Sequence, residues 1–323
     1  MNSLRNLCAA MVLAATCAPA SSALAQTYPA KPVRLVVAFT AGSGTDIIAR
    51  AVGDTLSKSL GQAVVIENRP GAGGTIAAGA IAKADPDGYT FLIHSSGHTV
   101  NPAIYPNLTY DTARDFAGVT PMANLPNVMV VTPGRYKTVQ DIVTAATANP
   151  GKLNFGSAGN GSATHMNAEK FRAAAGFDAV HVPFKGTPEA LSETMAGRLD
   201  FFFAPIVSAL QLIKEGKLTA LAVGTAKRAV LLPDVPSTVE LGYPGSDFNF
   251  WVGLFAPAKT PRDIINRMNQ EVTKALQTPE VRERYATLGA EPFTMKPEDF
   301  DAYVKSEIEL NGRIVKAAGI KAN

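Results

Sequence analysis

The run from Val33 to Phe39 is apolar except at Arg34, and it ends on Thr40-Ala41-Gly42-Ser43-Gly44-Thr45-Asp46. An apolar run of this kind reads as a strand buried on both faces, as in a mostly parallel sheet. It confines the chain to architectures in which helices cover both sides of that sheet. The following residues agree. Ile48, Val52, Leu56 and Leu60 recur at i+4 spacing, the mark of a helix with one apolar stripe, and Gly61 closes it. Strand Ala63–Glu67, loop Asn68–Gly74, helix Thr75–Ala84, turn Pro86-Asp87-Gly88 and strand Tyr89–His94 complete a β-α-β-α-β series.

A second series begins after Pro126. Val128–Val131 predicts a strand, and Thr138-Val139-Gln140-Asp141 a capping box opening a helix to Ala148. Strand Lys152–Gly156 leads into Ser157–Thr164, a second Gly/Ser-rich loop, and then a helix to Ala175. Strands Ala179–Val182, Asp200–Phe203 and Thr219–Val223 alternate with helices Pro188–Ala196 and Ile206–Glu215. After the Pro/Gly-rich stretch Leu232–Gly245 come strand Phe250–Ala256, a helix carrying Ile264, Met268, Val272 and Leu276, and helices Pro279–Leu288 and Pro297–Ala318. This tail brings helices but few strands, so it must pack on a sheet formed earlier. A chain of 323 residues also exceeds what one hydrophobic core serves. The expectation is an α/β protein with two lobes, each a mostly parallel sheet flanked by helices. Lobe 1 comprises 26–127 plus 249–323 and lobe 2 comprises 128–248, with two crossover strands as the hinge.

Residues 1–25 stand apart. Arg5 precedes an apolar stretch from Leu7 to about Ala20, and Ala23-Leu24-Ala25 fits an A-x-A cleavage site. A secretory signal peptide removed before Gln26 is expected. It would take both cysteines, Cys8 and Cys17, with it. Thiol catalysis, zinc ribbons and disulfide scaffolds are thereby excluded for the secreted chain. No later segment has the roughly 18 apolar residues of a membrane helix. Lys and Arg total 30 against 27 Asp and Glu, with no basic cluster, and aromatics make up 7% with one Trp. Neither an electrostatic nor a stacking footprint for nucleic acid is present.

In open parallel sheets, ligands bind beyond the carboxyl ends of the strands. Ala41–Asp46 in one lobe and Gly156–Thr164 in the other hold that position, and both open a helix. Glycine lets backbone N–H groups approach a ligand, hydroxyls add donors, and the helix dipole favours an anion. Either loop alone could be only a tight turn and a cap; two at matching positions point to a site. Gly42-Ser43-Gly44-Thr45 lacks the lysine of a phosphate loop, Gly156-x-x-Gly159-x-Gly161 does not have the dinucleotide spacing, and the string Gly-x-Ser-x-Gly is absent. His94 and His98 are spaced like a helical metal pair but fall at a strand end before Pro102, where both rings are not expected on one face. A hydrogen-bonding role is expected for His98. Asp46 either offsets the helix dipole or contacts ligand, and Arg69–Gly74 reads as a structural turn. Lys185 is solvated or reaches a carboxylate. Phe184 and Phe203 lie at strand ends and face either core or cleft, and Trp251 belongs to core or hinge. No metal and no cofactor are expected.

The motifs reached so far also resemble a known family. They are Tyr28-Pro29-x-Lys31-Pro32-Val33-Arg34, Phe39-x-Ala41-Gly42-x-Gly44-x-Asp46, Glu67-Asn68-Arg69-Pro70-Gly71-Ala72-Gly73-Gly74 and Pro86-Asp87-Gly88-Tyr89-Thr90. Further on stand Gly159-x-Gly161-Ser162-x-Thr164-His165, His181-Val182-Pro183-Phe184-Lys185-Gly186, Gly216-Lys217-Leu218, Leu232-Pro233-Asp234-Val235-Pro236-Ser237 and Trp251-x-Gly253-x-x-Ala256-Pro257. From about Tyr28 to the C-terminus the chain resembles the Bug (TctC-like) family, the extracytoplasmic solute-binding proteins of tripartite tricarboxylate transporters.

The resemblance implies a two-lobed periplasmic binding protein fold of type II with a Venus-flytrap cleft, a periplasmic location, and integral-membrane permease subunits as partners. It implies a small carboxylate ligand (dicarboxylate, amino acid or aromatic acid) held by main-chain N–H groups, hydroxyls and bridging waters. Carried over, the contacts fall on Thr40, Ala41, Gly42, Ser43, Gly44, Thr45 and Asp46 and on Ser157, Gly159, Asn160, Gly161, Ser162 and Thr164. Ser96, His98, Phe184, Gly186 and Phe203 join them. Thr40 stands where the family often has Pro, Ser43 where it often has Gly, and Gly97 where a bulkier polar residue is common. These departures leave the ligand's identity open. Two other functions share the same features: a secreted α/β enzyme acting on a small carboxylate, and a sensor module presenting its ligand-bound form to a membrane kinase. The enzyme is disfavoured because local motifs supply no base–nucleophile pair. A monomer is expected.

Overall fold

A computed structural model describes residues 28–320, so the expected signal peptide lies outside the described residues. The strands are β1 (Val33–Val37), β2 (Val64–Asn68), β3 (Thr90–Ser95), β4 (Phe116–Asn124), β5 (Asn127–Val131), β6 (Asn154–Ser157), β7 (Val180–Pro183), β8 (Phe201–Pro205), β9 (Thr219–Val223), β10 (Trp251–Pro257) and β11 (Glu291–Pro292). The helices are α1 (Gly44–Leu60), α2 (Thr75–Ile81), α3 (Gly97–Ile104), α4 (Val139–Ala148), α5 (Ala163–Ala175), α6 (Thr187–Met195), α7 (Ile206–Lys214), α8 (Arg262–Gln277), α9 (Pro279–Leu288) and α10 (Pro297–Ala317).

Two sheets result, in the orders β11-β4-β10-β3-β1-β2 and β7-β6-β8-β5-β9. In the first, β1 is parallel to β2 and β3, while β10 runs antiparallel between β3 and β4. In the second, β6 is parallel to β7 and β8, while β5 runs antiparallel between β8 and β9. The reversed strand is in each case the one that enters from the other sheet. A chain crossing the gap arrives at the carboxyl ends of the parallel strands and can only run back along them. The crossovers lie side by side, Leu125 N donating to Phe250 O at 2.8 Å, and the residue after β9 ties to both, Gly224 N donating to Asn127 O at 2.8 Å and Phe248 N to Gly224 O at 3.0 Å.

Both faces of the central strands are buried, as the apolar run at β1 requires. Leu35 and Val37 pack with Ile48, Val52, Phe91 and Ile93 on one side, and Val36 packs with Leu92, Ala77 and Phe255 on the other. In the second sheet Phe155, Phe171 and Phe201 fill one face, and Val128, Phe202 and Leu210 the other. Gly61 ends α1 in the left-handed conformation at φ 66°, and Thr138 with Asp141 forms the expected capping box on α4.

Three elements escape the sequence pattern, the shortest being β11, which pairs with the end of β4. β4 carries Gly118, Thr120 and Pro121, which spoil its apolar rhythm, and its pairing with β10 is interrupted by register shifts. α3 contains Pro102, which reads as a helix stop. Proline removes the N–H that would bond the His98 carbonyl, and Thr112 Oγ1 donates to that carbonyl instead at 3.5 Å. Because α3 forms, the His94 and His98 rings do come together, their centroids 4.9 Å apart, correcting the expectation that they diverge.

Candidate functional site

Several helices start along the gap between the sheets, because each follows a strand whose carboxyl end lies there, and four of them bound one cavity. α1 contributes Ser43, Gly44 and Thr45, α5 contributes Ser162, Ala163 and Thr164, α6 contributes Thr187, and α7 follows Pro205. With Ser95, Phe39, Ala158 and Phe250 they line a narrow cavity between the lobes, with room for about one water. Every lining side chain is neutral. Positive potential there comes from helix N-termini, whose first N–H groups have no partner within the helix. The cap residue of α1, Ser43, makes no side-chain cap bond, so the first-turn N–H groups are left for another acceptor. At α5 the Ser162 hydroxyl caps His165 N at 3.3 Å, and Thr164 Oγ1 accepts from Ala158 N at 2.9 Å. Thr45 is 1% exposed, and its hydroxyl has no hydrogen-bond partner among the described residues. Such a site suits a small anion with an uncharged body, because Phe39, Phe250, Pro205 and Ala158 offer only apolar surface.

The lobes are shut over this cavity. Thr187 N donates to Ser43 Oγ at 3.1 Å, Thr40 Oγ1 to Glu189 Oε2 at 3.1 Å, Ser208 Oγ to Gly42 O at 3.2 Å, and Tyr105 OH to Asn160 O at 3.1 Å. Thr40, Gly42, Asn160 and Gly186 therefore sit along the closing seam rather than on the cavity wall, and Ala41, exposed beside them, is not on the wall either. Gly159 and Gly161 belong to the same seam, beside Gly73 and Asn101 respectively.

Asp46 holds the first loop in shape. Its carboxylate accepts from Gly42 N at 2.9 Å, Arg50 Nε at 3.0 Å and Asn68 Nδ2 at 2.8 Å. Burial works to raise its pKa, but the bonds from Arg50, Gly42 and Asn68 outweigh that and hold it below the usual carboxylate range. These bonds make the carboxylate a brace, correcting the reading of Asp46 as a ligand contact through its side chain.

His98 also departs from expectation. It is fully buried among Tyr110, Phe116 and Phe255, and neither ring nitrogen has a hydrogen-bond partner among the described residues. Burial pushes its pKa well down, and pushes His94 down to about 4. Phe203 is fully buried in the core of the second sheet against Phe171 and Phe201, so it faces core and not cleft. Phe184 packs half-buried on Ala190 and its neighbours, and Ser96 is buried behind Ser95 without reaching the wall. Lys185 is exposed and Trp251 is core, ringed by Phe255, Phe300 and Tyr303.

Local motifs hide one pair. Ser157 Oγ lies 2.6 Å from His181 Nε2, brought together by the parallel pairing of β6 and β7. Burial, aided by the neighbouring His165, pushes the His181 pKa down to about 2, so its ring is a poor proton acceptor near neutral pH. His181 Nδ1 has no hydrogen-bonding partner to orient it, and Ser157 does not line the cavity. The geometry is that of a buried hydrogen bond, not an armed nucleophile.

Of the expected residues, Ser43, Gly44, Thr45, Ser162 and Thr164 do line the cavity. Phe39, Ser95, Ala158, Ala163, Thr187, Pro205 and Phe250 line it as well and went unassigned. Their signal was positional: each lies within two residues of a strand's carboxyl end, a helix start, or the returning crossover.

Two α/β sheets joined by paired crossovers, closed on a neutral cavity ringed by helix N-termini, define a two-lobed periplasmic binding protein. The chain belongs to the tripartite tricarboxylate transporter family receptors, the TctC-like family of the Bug proteins, whose profile matches residues 48–320. It is 37% identical over 321 residues to the UPF0065 protein in the tcbD-tcbE intergenic region of Pseudomonas sp. strain P51, covering 99% of this chain and 96% of that one. It is 33% identical to BugT of Bordetella pertussis, covering 99% of each. Among solved structures, R. palustris Rpa4515 with adipate superposes with TM-score 0.87 at 35% identity, covering 91% of this chain and 99% of that one. MatC from Rhodopseudomonas palustris with bound malate gives 0.84 at 33%, covering 89% and 100%.

Proposed function

We propose that this protein captures a small carboxylate between its lobes and delivers it to the membrane permease of a tripartite tricarboxylate-type transporter. The observation that carries the reading is the cavity itself. Helix N-termini and hydroxyls from both lobes meet there with no charged side chain on the wall, which favours an anion without committing to a point-charge partner. The adipate and malate in the two similar structures support a small carboxylate. The chain is secreted by cleavage before Gln26 and works as a monomer, with 26–127 plus 249–323 as one lobe and 128–248 as the other. It is a binding protein and not an enzyme, a reading supported by the Ser157–His181 pair lying off the cavity.

A thermal-shift screen over dicarboxylates, amino acids and aromatic acids tests this. A ligand at 100 times its Kd stabilises by about 2.7 kcal/mol, so the acid that binds raises the midpoint and remains unconsumed. No shift with any carboxylate, or consumption of the acid, refutes the reading.

A further inference from the structure

Along the seam the lobes touch backbone to backbone. A Cβ built on Gly73 would lie 2.0 Å from Asn160 O, but Gly73 has φ 59° and needs to be glycine for its own turn. Gly186 is a different case. Its φ of −173° and ψ of −175° are extended values that any residue adopts. The three atoms nearest a Cβ at Gly186 all belong to the other lobe: Thr40 Oγ1 at 1.8 Å, Ser43 Oγ at 2.6 Å and Thr40 Cβ at 3.0 Å. The backbone angles do not demand glycine; the closest contacts, all from across the seam, do. Gly97, the first residue of α3, repeats the pattern in part from the opposite side, where a Cβ would meet Gly161 O at 2.7 Å and Ser162 Cα at 3.1 Å across the seam and Ser95 Oγ of its own lobe at 3.1 Å.

Thr40 and Ser43 are also the residues that bind across the seam, to Glu189 and to Thr187 N. Thr187 in turn lines the cavity. A side chain at Gly186 would therefore hold apart the two loops that bring the donors of α1 and α6 to one ligand.

We infer that Gly186 is a positioning residue for capture: its missing side chain sets how far the lobes close, and closure to this stop is populated without ligand because the seam bonds are protein to protein. The consequence for affinity rests on the proposed function, whereas the consequence for lobe separation does not. The test compares Gly186→Ala, Thr40→Gly and the double variant with wild type in three measurements: thermal unfolding without ligand, small-angle scattering without ligand, and calorimetric titration with adipate and with malate.

Gly186→Ala should unfold at the wild-type midpoint, because its backbone is unstrained, yet scatter with a larger radius of gyration. It should bind whichever acid the wild type binds at least roughly tenfold more weakly, since the closure-competent fraction falls. Thr40→Gly in the same chain should recover much of both effects, because two of the three colliding atoms belong to Thr40. Equal radii for wild type and Gly186→Ala overturn the inference, as does a loss in Gly186→Ala that the double variant leaves untouched. If neither acid binds the wild type, the proposed ligand class is in trouble, while the scattering comparison still decides on Gly186.

Discussion

Thr45 offers a substitution whose effects on binding and on stability should have opposite signs. Its hydroxyl is buried on the cavity wall with no protein partner, and it sits in the first turn of α1, where unpaired N–H groups already draw an anion. Thr45→Val keeps the shape and removes only the donor. A hydrogen bond to a charged group is worth roughly 1.5–3 kcal/mol, so Kd for the bound acid should rise roughly 10- to 150-fold. In the ligand-free protein the same change removes a buried polar atom that makes no internal bond. Valine and threonine have similar helix propensities, so stability should hold or rise by up to roughly 1–3 kcal/mol. For a chain of this size that is a few degrees at most in Tm. Calorimetry with the acid found by screening, beside unfolding without it, reads both effects. Wild-type affinity in the variant would refute the assignment of Thr45 as a ligand donor. A midpoint several degrees lower would show that its hydroxyl has a structural partner after all.

Asp46→Asn should lower the midpoint at neutral pH by loosening the loop that Gly42, Arg50 and Asn68 share. Because its folded pKa lies below the usual value, its stabilisation is fully present above roughly pH 4 and is lost as pH falls through the lower folded value; unfolding curves of wild type and variant should converge there. The buried histidines act in a higher window. Burial holds His94 down to about 4 and His98 well below its ordinary value, so the unfolded chain takes up protons first, and stability should fall as pH drops from roughly 6.5 toward 4. His98→Phe should make that decline shallower while barely moving the midpoint at pH 8; an unchanged slope in a pH series of melts argues against His98 as a source. Trp251 emission should stay the same when ligand binds, because Phe255, Phe300, Tyr303 and Glu307 around it all belong to its own lobe. A clear spectral shift on titration would place Trp251 in the moving part.

Most of the α/β alternation is visible in the chain itself because its signals are local. The apolar run of β1, the stripe of α1, the glycine at its end and the capping box of α4 each need only a few neighbouring residues. β4 and α3 are not visible because their warrant is non-local. β4 exists by pairing along β10, and α3 tolerates Pro102 because Thr112, ten residues on, takes up the carbonyl that proline leaves. The site follows the same division. Ser43, Thr45, Ser162 and Thr164 stand in loops whose composition announces a helix start, whereas Thr187, Pro205 and Phe250 become part of the cavity only when two sheets face each other. His98 and Phe203 mislead for the converse reason: a strand end or a short helix can turn its side chain toward core as easily as toward the gap, and sequence spacing does not say which.

The placement of β10 has a consequence in time. The strands of the second sheet lie within 127–223, one unbroken stretch of chain, and can pair as soon as residue 223 is available. The first sheet cannot. Its strands β3 and β4 are complete by residue 124, yet they are not neighbours; β10 must come between them, and it ends at residue 257. Until then the earlier lobe holds two strands with unpaired facing edges, the kind of surface that recruits wrong partners. A chain threaded out from its N-terminus thus finishes its middle before its beginning. The N-terminal lobe is the last to become a sheet, and the interval before β10 emerges is when this protein most needs to be kept from sticking to its neighbours.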